Sequence, residues 1–146
     1  MGTSGVEVFD KSLQITNIWL NEIMEEHGPD RQRAWHILSA VLRAIRDRLP
    51  VDLAAHLGAQ LPLLVRGTFY DQFEPSRLPD KTRSREGFLH RIEEGMEGAR
   101  PVNPEEAVKS VFNVLSHHLD PGQIQKVRQA LPEDVRVLWP DPTVRH

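Results

Sequence analysis

The chain has 146 residues, a length at which one domain buries enough apolar surface to fold without metals or disulfides. It contains no cysteine, which excludes a disulfide framework and a thiolate zinc site and suits the reducing cytoplasm. A net charge of −3 with 39% hydrophobic residues is ordinary for a soluble globular domain and offers no strong field to attract nucleic acid.

The N-terminal stretch MGTSGVEVFD has no basic segment followed by an apolar one, so no signal peptide is predicted there. Its first five residues fit either a native tail or a remnant of cloning. Apolar runs elsewhere are only a few residues long, far short of the roughly 18 that a membrane span requires. We therefore expect a cytoplasmic protein with no membrane partner.

Apolar residues recur at helical spacing through the first third of the chain. One group precedes Gly28, and the next lies between Asp30, a good N-cap, and Pro50, which cannot continue a helix. The two stripes are Trp19, Leu20, Ile23 and Met24, and then Ile37, Leu38, Val41, Leu42, Ile45 and Leu49. This spacing predicts two amphipathic helices.

The second half begins its helices in the same manner. Ser84 is a candidate N-cap before an apolar group at residues 88–92, and Asn103 followed by Pro104 starts a longer stripe. Asp120 and the proline after it repeat the device for a short helix. That longer stripe is Val108, Val111, Phe112, Leu115 and Leu119. Since no stretch alternates as a strand would, we predict an all-α fold.

Two segments of the chain share one pattern at a fixed distance. The stretch LPLLVRGTF at residues 61–69 is followed seventy residues later by LPEDVRVLW at residues 131–139. Six identities occur in the 36 residue pairs that align residues 34–69 with 104–139, and most fall on predicted apolar faces. We predict an internal duplication, with each half built from the same succession of helices.

The predicted organisation is a single domain over residues 1–146. Repeat one covers about 9–70, a linker covers 71–83, and repeat two covers about 84–140. The fold is then a compact helical bundle of two tandem copies of a four-helix-type repeat, with about seven or eight helices in all.

Several stretches of the chain are similar to one known family. They are SLQITNIWLNEI, AVLRAIRDRLPVDLAAHLGAQLPLLVRGTFYDQFEP, SREGFLHRI and LPEDVRVLWP. Together they resemble the bacterial domain of unknown function family 2267. Its usual Arg-Gly-x-Tyr-Tyr-Asp/Glu-Gly-Trp ending is matched by Arg66, Gly67, Tyr70 and Asp71 and relaxed at Phe69, Gln72 and Phe73. The resemblance implies a soluble, all-helical bacterial protein and brings no activity with it.

The seven histidines raise the question of a metal. His117, His118 and Asp120 form the densest group, yet adjacent helical residues point about 100° apart, which disfavours one shared ion. None of the histidines completes the Glu-x-x-His spacing of helical di-iron proteins. Motifs of zinc proteases, serine hydrolases and nucleotide-binding loops are missing as well. We expect no catalytic residue, no metal and no cofactor.

Arg66 and Arg136 form the most informative constellation. Each follows a Leu-Pro pair by one helical turn and lies among apolar neighbours, where a guanidinium needs a carboxylate or carbonyl acceptors. The structural interpretation is a brace to Asp47 or to a helix C-terminus. The functional interpretation is a groove that holds a carboxylate or phosphate, with Tyr70 and Asp71 beside Arg66 at the seam between the repeats.

Basic residues at 31–43 and 77–85 are interleaved with acidic ones and lack an aromatic stacking platform, so no nucleic-acid partner is predicted. The sequence favours a non-enzymatic interaction or accessory module, with a protein partner or self-association. The alternative hypothesis is a protein, or a weak enzyme, that binds a small anionic ligand through Arg66 and Tyr70.

Overall fold

The computed structural model describes residues 4–77, 83–96, 98 and 101–139. These residues form eight α-helices and one short 3-10 helix, and they contain no strand. The helices are α1 (Glu7–His27), α2 (Arg31–Asp47), α3 (Val51–Gln60), α4 (Leu63–Tyr70), α5 (Arg85–Gly95), α6 (Pro104–His118), α7 (Pro121–Ala130) and α8 (Glu133–Arg136), with the 3-10 turn at Pro75–Arg77. The predicted all-α bundle is confirmed.

Four helices begin at the capping residues that the sequence indicates. Each cap is a side-chain oxygen that accepts a backbone N–H of the first turn, which would otherwise lack a partner. The caps are Asp30 of α2, Ser84 of α5, Asn103 of α6 and Asp120 of α7, at distances of 3.0–3.2 Å. At the other end of α1, Gly28 has a φ of 97°, a left-handed conformation that favours glycine and stops the helix.

The helix α2 lies at the centre of the bundle. It packs against α1, α4, α5 and α6, and α6 in turn packs against α1, α5 and α7. Every member of the predicted α2 stripe has no exposed side-chain surface: Ile37, Leu38, Val41, Leu42, Ile45 and Leu49. The aromatic residues Trp19, Phe112 and Trp139 are also buried, and the last two stack with ring centroids 4.2 Å apart.

The two Leu-Pro segments adopt the same backbone geometry. Leu61 ends α3 with φ −77° and ψ 146°, and Leu131 ends α7 with φ −74° and ψ 151°. Both preceding helices have ten residues and begin seventy positions apart. The final helices differ in length, since α4 has eight residues and α8 has four. Duplication of the complete halves stays a prediction.

Parts of the predicted organisation lie outside the described residues. They are positions 1–3 of the N-terminal stretch, positions 78–82 of the linker, positions 97, 99 and 100 within the second repeat, and positions 140–146. Among the helices that the structure does describe, none is both long and apolar enough to cross a bilayer.

Ion pairs between three charged side chains connect the start of α5 with the start of α6. The guanidinium of Arg85 lies 2.7 Å from a carboxylate oxygen of Glu105, and the ammonium of Lys109 lies 3.4 Å from the same oxygen. The hydrogen bond from Arg85 is the main cause that holds the pKa of Glu105 below its ordinary value, against a smaller upward effect of burial.

Glu105→Gln is therefore expected to reduce stability slightly at neutral pH and not at all in acid. A carboxylate whose pKa is lowered by folding stabilises the fold at any pH above its pKa in the unfolded chain, which is about 4.3 for glutamate. This contribution is lost as the pH falls through the lowered pKa of the folded state. Thermal unfolding from pH 3 to 7 measures the difference. Glu133→Gln, in the first turn of α8, controls for loss of a first-turn charge. Identical pH profiles for the two variants would contradict the assignment.

Candidate functional site

The guanidinium of Arg66 is bound by backbone carbonyls at the end of α3. Its Nε donates to the carbonyl of Gly58 at 2.9 Å, and its Nη2 donates to those of Ala59 at 3.1 Å and Leu61 at 2.9 Å. These carbonyls lie at the end of the helix, where the last turn lacks intrahelical partners and carries a partial negative charge. Arg66 thus acts as a cationic cap that fixes the corner between α3 and α4.

Arg136 makes the same three contacts in the second half. Its Nε donates to the carbonyl of Arg128 at 2.9 Å, and its Nη2 donates to those of Gln129 and Leu131, both at 3.0 Å. Each acceptor lies seventy positions after its counterpart at Arg66. The two predicted arginines therefore make equivalent hydrogen bonds to main-chain carbonyls at two corners of the same geometry.

Of the two residues predicted beside Arg66, Tyr70 packs against α3 and Asp71 pairs with α2. The Tyr70 hydroxyl donates to the carbonyl of Ala55 at 3.4 Å, and its ring lies over Gly58, where a side chain would collide with it. The Asp71 carboxylate pairs with the guanidinium of Arg43 at 3.1 Å. Arg66 and Tyr70 thus lie together at the α3–α4 corner, whereas Asp71 follows the other end of α4 and contacts α2.

The most buried arginine of the α2–α4 interface is Arg46, which sequence reasoning did not select. Its side chain is 2% exposed, and its Nε lies 2.8 Å from a carboxylate oxygen of Asp47. Its Nη1 donates to the carbonyls of Phe69 and Asp71, both at 2.8 Å, and its guanidinium lies over the Phe73 ring. The available signal was its position, four residues after Leu42 on the apolar face of α2.

A second polar group lies between α1 and α6, which run antiparallel. Glu22 of α1 meets the last two residues of α6: one oxygen lies 3.0 Å from Nδ1 of His117 and the other 2.5 Å from Nε2 of His118. Glu22 and His118 are partly buried, whereas the His117 side chain is 67% exposed. This glutamate–histidine cluster joins residues that are 95 and 96 positions apart in the sequence.

The cluster is held in place by its surroundings. The ring of His118 stacks on the buried ring of Trp19, with centroids 5.3 Å apart and planes inclined by 18°. Burial raises the pKa of the Glu22 carboxyl, but the hydrogen bonds and charges of His117 and His118 outweigh it and hold that pKa below its ordinary value. Glu22 is thereby kept as a carboxylate that faces two imidazole rings.

The angle between adjacent helical side chains, which disfavours one shared ion, does not prevent this pair from contacting the same carboxylate. His117 uses Nδ1, which lies close to the backbone, whereas His118 uses Nε2 at the far end of its ring. The different reach compensates for the angle between the two side chains. Among the described residues, the ligand atoms of Glu22, His117 and His118 all lie within 4.8 Å of one another.

Two turns before these histidines on α6, the buried hydroxyl of Ser110 contacts a second pair from α1. It donates a short hydrogen bond to a Glu26 carboxylate oxygen and lies 2.8 Å from Nε2 of His27. A hydroxyl has one proton, so His27 must donate to Ser110. A nucleophilic serine needs the opposite arrangement, in which the imidazole accepts the serine proton. The contact therefore resembles a structural link between α1 and α6.

The first half of α1 concentrates exposed apolar surface. Of ten exposed large apolar side chains among the described residues, five belong to α1 and a sixth, Val6, directly precedes it; these six are 39–58% exposed. Two more begin α4, where the Leu64 N–H donates to Ser12 of α1 at 3.3 Å. We call this set the α1 surface: Val6, Val8, Phe9, Leu13, Ile15, Ile18, Leu63 and Leu64.

Comparison with known proteins identifies the family. A family model described as "Uncharacterized conserved protein (DUF2267)" matches residues 16–138. The chain belongs to the DUF2267 family. No curated protein matches it.

The DUF2267 match includes both arginine corners and the glutamate–histidine cluster, since all of these residues lie within 16–138. It begins inside α1 at Thr16. Most of the α1 surface therefore precedes the DUF2267 match, and within α1 only Ile18 of that surface lies inside it.

Proposed function

We propose that this DUF2267 protein is a non-enzymatic interaction module that self-associates through the α1 surface. The observation that carries the proposal is the concentration of six exposed large apolar side chains at one helix end. Exposed apolar residues that are scattered singly are normal on a protein surface, whereas their concentration in one short segment is typical of an interaction site. The Ser110 hydroxyl donates its hydrogen bond to Glu26 and not to His27, which supports the non-enzymatic part of the proposal.

The size of the α1 surface suits a dimer interface. A large apolar side chain exposes on the order of 150 Å² when fully accessible, so eight that are about half exposed offer on the order of 600 Å². A standard interface buries about 800 Å² on each partner. The apolar side chains of α1 lie on both sides of its buried face, so those on one side would supply part of the interface and the polar residues beside them would supply the rest.

A second copy of the chain is the occupant that we propose. Two-fold dimers are the commonest assemblies of soluble proteins, and they bring the same surface of each subunit together. A straight helix that carries apolar residues along several turns can pack against its own symmetry mate, since ridges and grooves recur at the same spacing. Such pairing would bury apolar surface that the single chain leaves in water.

Leu13→Asp is expected to convert a dimer into a monomer. The aspartate would place a charge without a partner at the centre of the proposed interface, where desolvation disfavours it strongly. Light scattering coupled to size-exclusion chromatography, from about 5 to 500 µM protein, measures the mass across the usual range of specific affinities. Leu13 is 52% exposed in the single chain, so the fold should tolerate the change.

Val137→Asp provides the matched control. Val137 is the most exposed large apolar residue of the described part of the chain and follows α8, an element that packs on α5. The control should keep the dimer. A wild-type chain that remains monomeric over the whole range would overturn the proposal, as would equal dissociation of both variants.

The alternative, binding of a small anion at Arg66 and Tyr70, has weaker support. Two of the three guanidinium nitrogens of Arg66 already donate to three carbonyls, and an incoming anion would have to compete with them. A thermal-shift screen against carboxylates and phosphates tests it, because a ligand of the native state raises the midpoint. We also propose a cytoplasmic location, which the lack of cysteine supports.

A further inference from the structure

The glutamate–histidine cluster offers three ligand atoms of the kinds that transition metals select. They are one carboxylate oxygen of Glu22, Nδ1 of His117 and Nε2 of His118, and all lie within 4.8 Å of one another. Imidazole nitrogen with carboxylate oxygen suits zinc, nickel, cobalt and copper, whereas magnesium and calcium prefer oxygen ligands alone. The donor set therefore points to a first-row divalent ion.

We propose that Glu22, His117 and His118 form a binding site for a divalent transition metal ion, with zinc as its representative. Two histidines and one glutamate provide three protein ligands and leave a fourth tetrahedral position for water or another small ligand. Nothing in the proposal depends on self-association through the α1 surface.

The geometry needs only a small adjustment to accept the ion. Zinc binds nitrogen and oxygen at about 2.0–2.2 Å, which places tetrahedral ligand atoms about 3.3–3.4 Å apart. The Glu22 oxygens already lie 3.0 Å and 2.5 Å from the two ring nitrogens. The three ligand atoms, which lie within 4.8 Å of one another, must come somewhat closer together. The exposed ring of His117 can turn to allow it.

The protein holds the less mobile part of the site. His118 is stacked on Trp19, which is 2% exposed, so its ring plane is set by the core of the bundle. Glu22 lies one helical turn after Ile18 on α1 and is held between the two imidazoles. A site with two oriented ligands and one adjustable ligand loses little conformational freedom when the ion binds.

Binding of the ion would have a structural consequence. Glu22 belongs to α1 and the histidines belong to the end of α6, so the metal would cross-link segments that are 95 residues apart. An ion that binds the native chain and has no preformed site in the unfolded chain raises the apparent stability by mass action. The cluster would then couple metal supply to the stability of the α1–α6 interface.

Calorimetric titration of tag-free protein with zinc chloride, in the presence of a competing chelator of known affinity, tests the proposal. We expect one zinc ion per chain in the wild type. Glu22→Gln and His118→Ala, each verified as folded by circular dichroism, should weaken binding at least 100-fold, because each removes a direct ligand. Cobalt should give the intense visible bands of a tetrahedral site in the wild type and lose them in both variants.

His90→Ala is the matched control. His90 lies on α5 with Glu94 at 3.5 Å. This exposed histidine–glutamate pair has no third possible metal ligand beside it among the described residues. The control should bind zinc as the wild type does. Should zinc bind no more tightly to the wild type than to Glu22→Gln, or should His90→Ala lose as much affinity, the three residues are a hydrogen-bonded ion pair only and the proposal is wrong.

Discussion

Arg46→Ala is expected to lower the free energy of unfolding by about 3–5 kcal/mol, the usual cost of removing one partner from a buried ion pair. The change would leave the Asp47 carboxylate without its 2.8 Å partner and the carbonyls of Phe69 and Asp71 without a donor. For a chain of this size, the melting temperature should fall on the order of 10 °C. Differential scanning calorimetry measures both quantities.

Arg77→Ala is the control for Arg46. Arg77 also forms an ion pair, with Glu74 at 3.3 Å, but its side chain is 79% exposed. Since exposed pairs contribute little, its melting temperature should stay within about 2 °C of the wild type. Equal losses for the two variants would show that burial of Arg46 does not determine its contribution.

Arg66→Ala and Arg136→Ala form the second pair of large effects. Each change removes three hydrogen bonds from a charged donor to carbonyls of a helix end, and we expect a loss of about 2–3 kcal/mol for each variant. The melting temperature should fall by about 5–10 °C in both. Lysine at either position should restore only part of the loss, because an ammonium cannot reproduce the planar two-pronged contact.

The same two variants test the predicted duplication and the anion-binding alternative. Copies of one corner should lose similar stability, so a difference above about 2 kcal/mol would contradict equivalence of the halves. Unchanged stability of Arg66→Ala together with loss of a ligand-induced thermal shift would favour the anion site. If both alanine variants retained full stability and ligand response, the repeated arginine would be a surface residue without either role.

Local features of the fold could be predicted well from the sequence. Caps such as Asp30 and Asn103 accept backbone N–H groups two or three residues away. Both partners are therefore close in the sequence, and the interaction can be predicted from a short segment. The apolar residues of α2, which recur at helical spacing, likewise predict which face of the helix is buried. The acceptors of Arg66 lie only five to eight residues upstream, which is why a helix C-terminus could be named as its partner.

The cluster of Glu22 with His117 and His118 could not be found in this way. Its members are separated by 95 and 96 positions in a chain of 146 residues, and only the antiparallel packing of α1 on α6 brings them together. The angle between adjacent side chains was a sound local argument, but it ignored the choice between the two ring nitrogens. Arg46 was missed because its partners, the carbonyls of Phe69 and Asp71, become visible only when α4 is placed on α2.

The corners capped by Arg66 and Arg136 have a consequence for mutational tolerance. Both guanidiniums bind three main-chain carbonyls; two of the three acceptor residues differ between the corners, with Gly58 and Ala59 in one and Arg128 and Gln129 in the other, and the third is leucine in both. The cap therefore does not depend on the side chains of those two acceptors. Substitutions can accumulate at Ala59 and at its counterpart without loss of the bend, whereas Gly58 is restricted by the Tyr70 ring, so the Leu-Pro segment with its arginine behaves as a transferable unit for joining two helices in a designed protein.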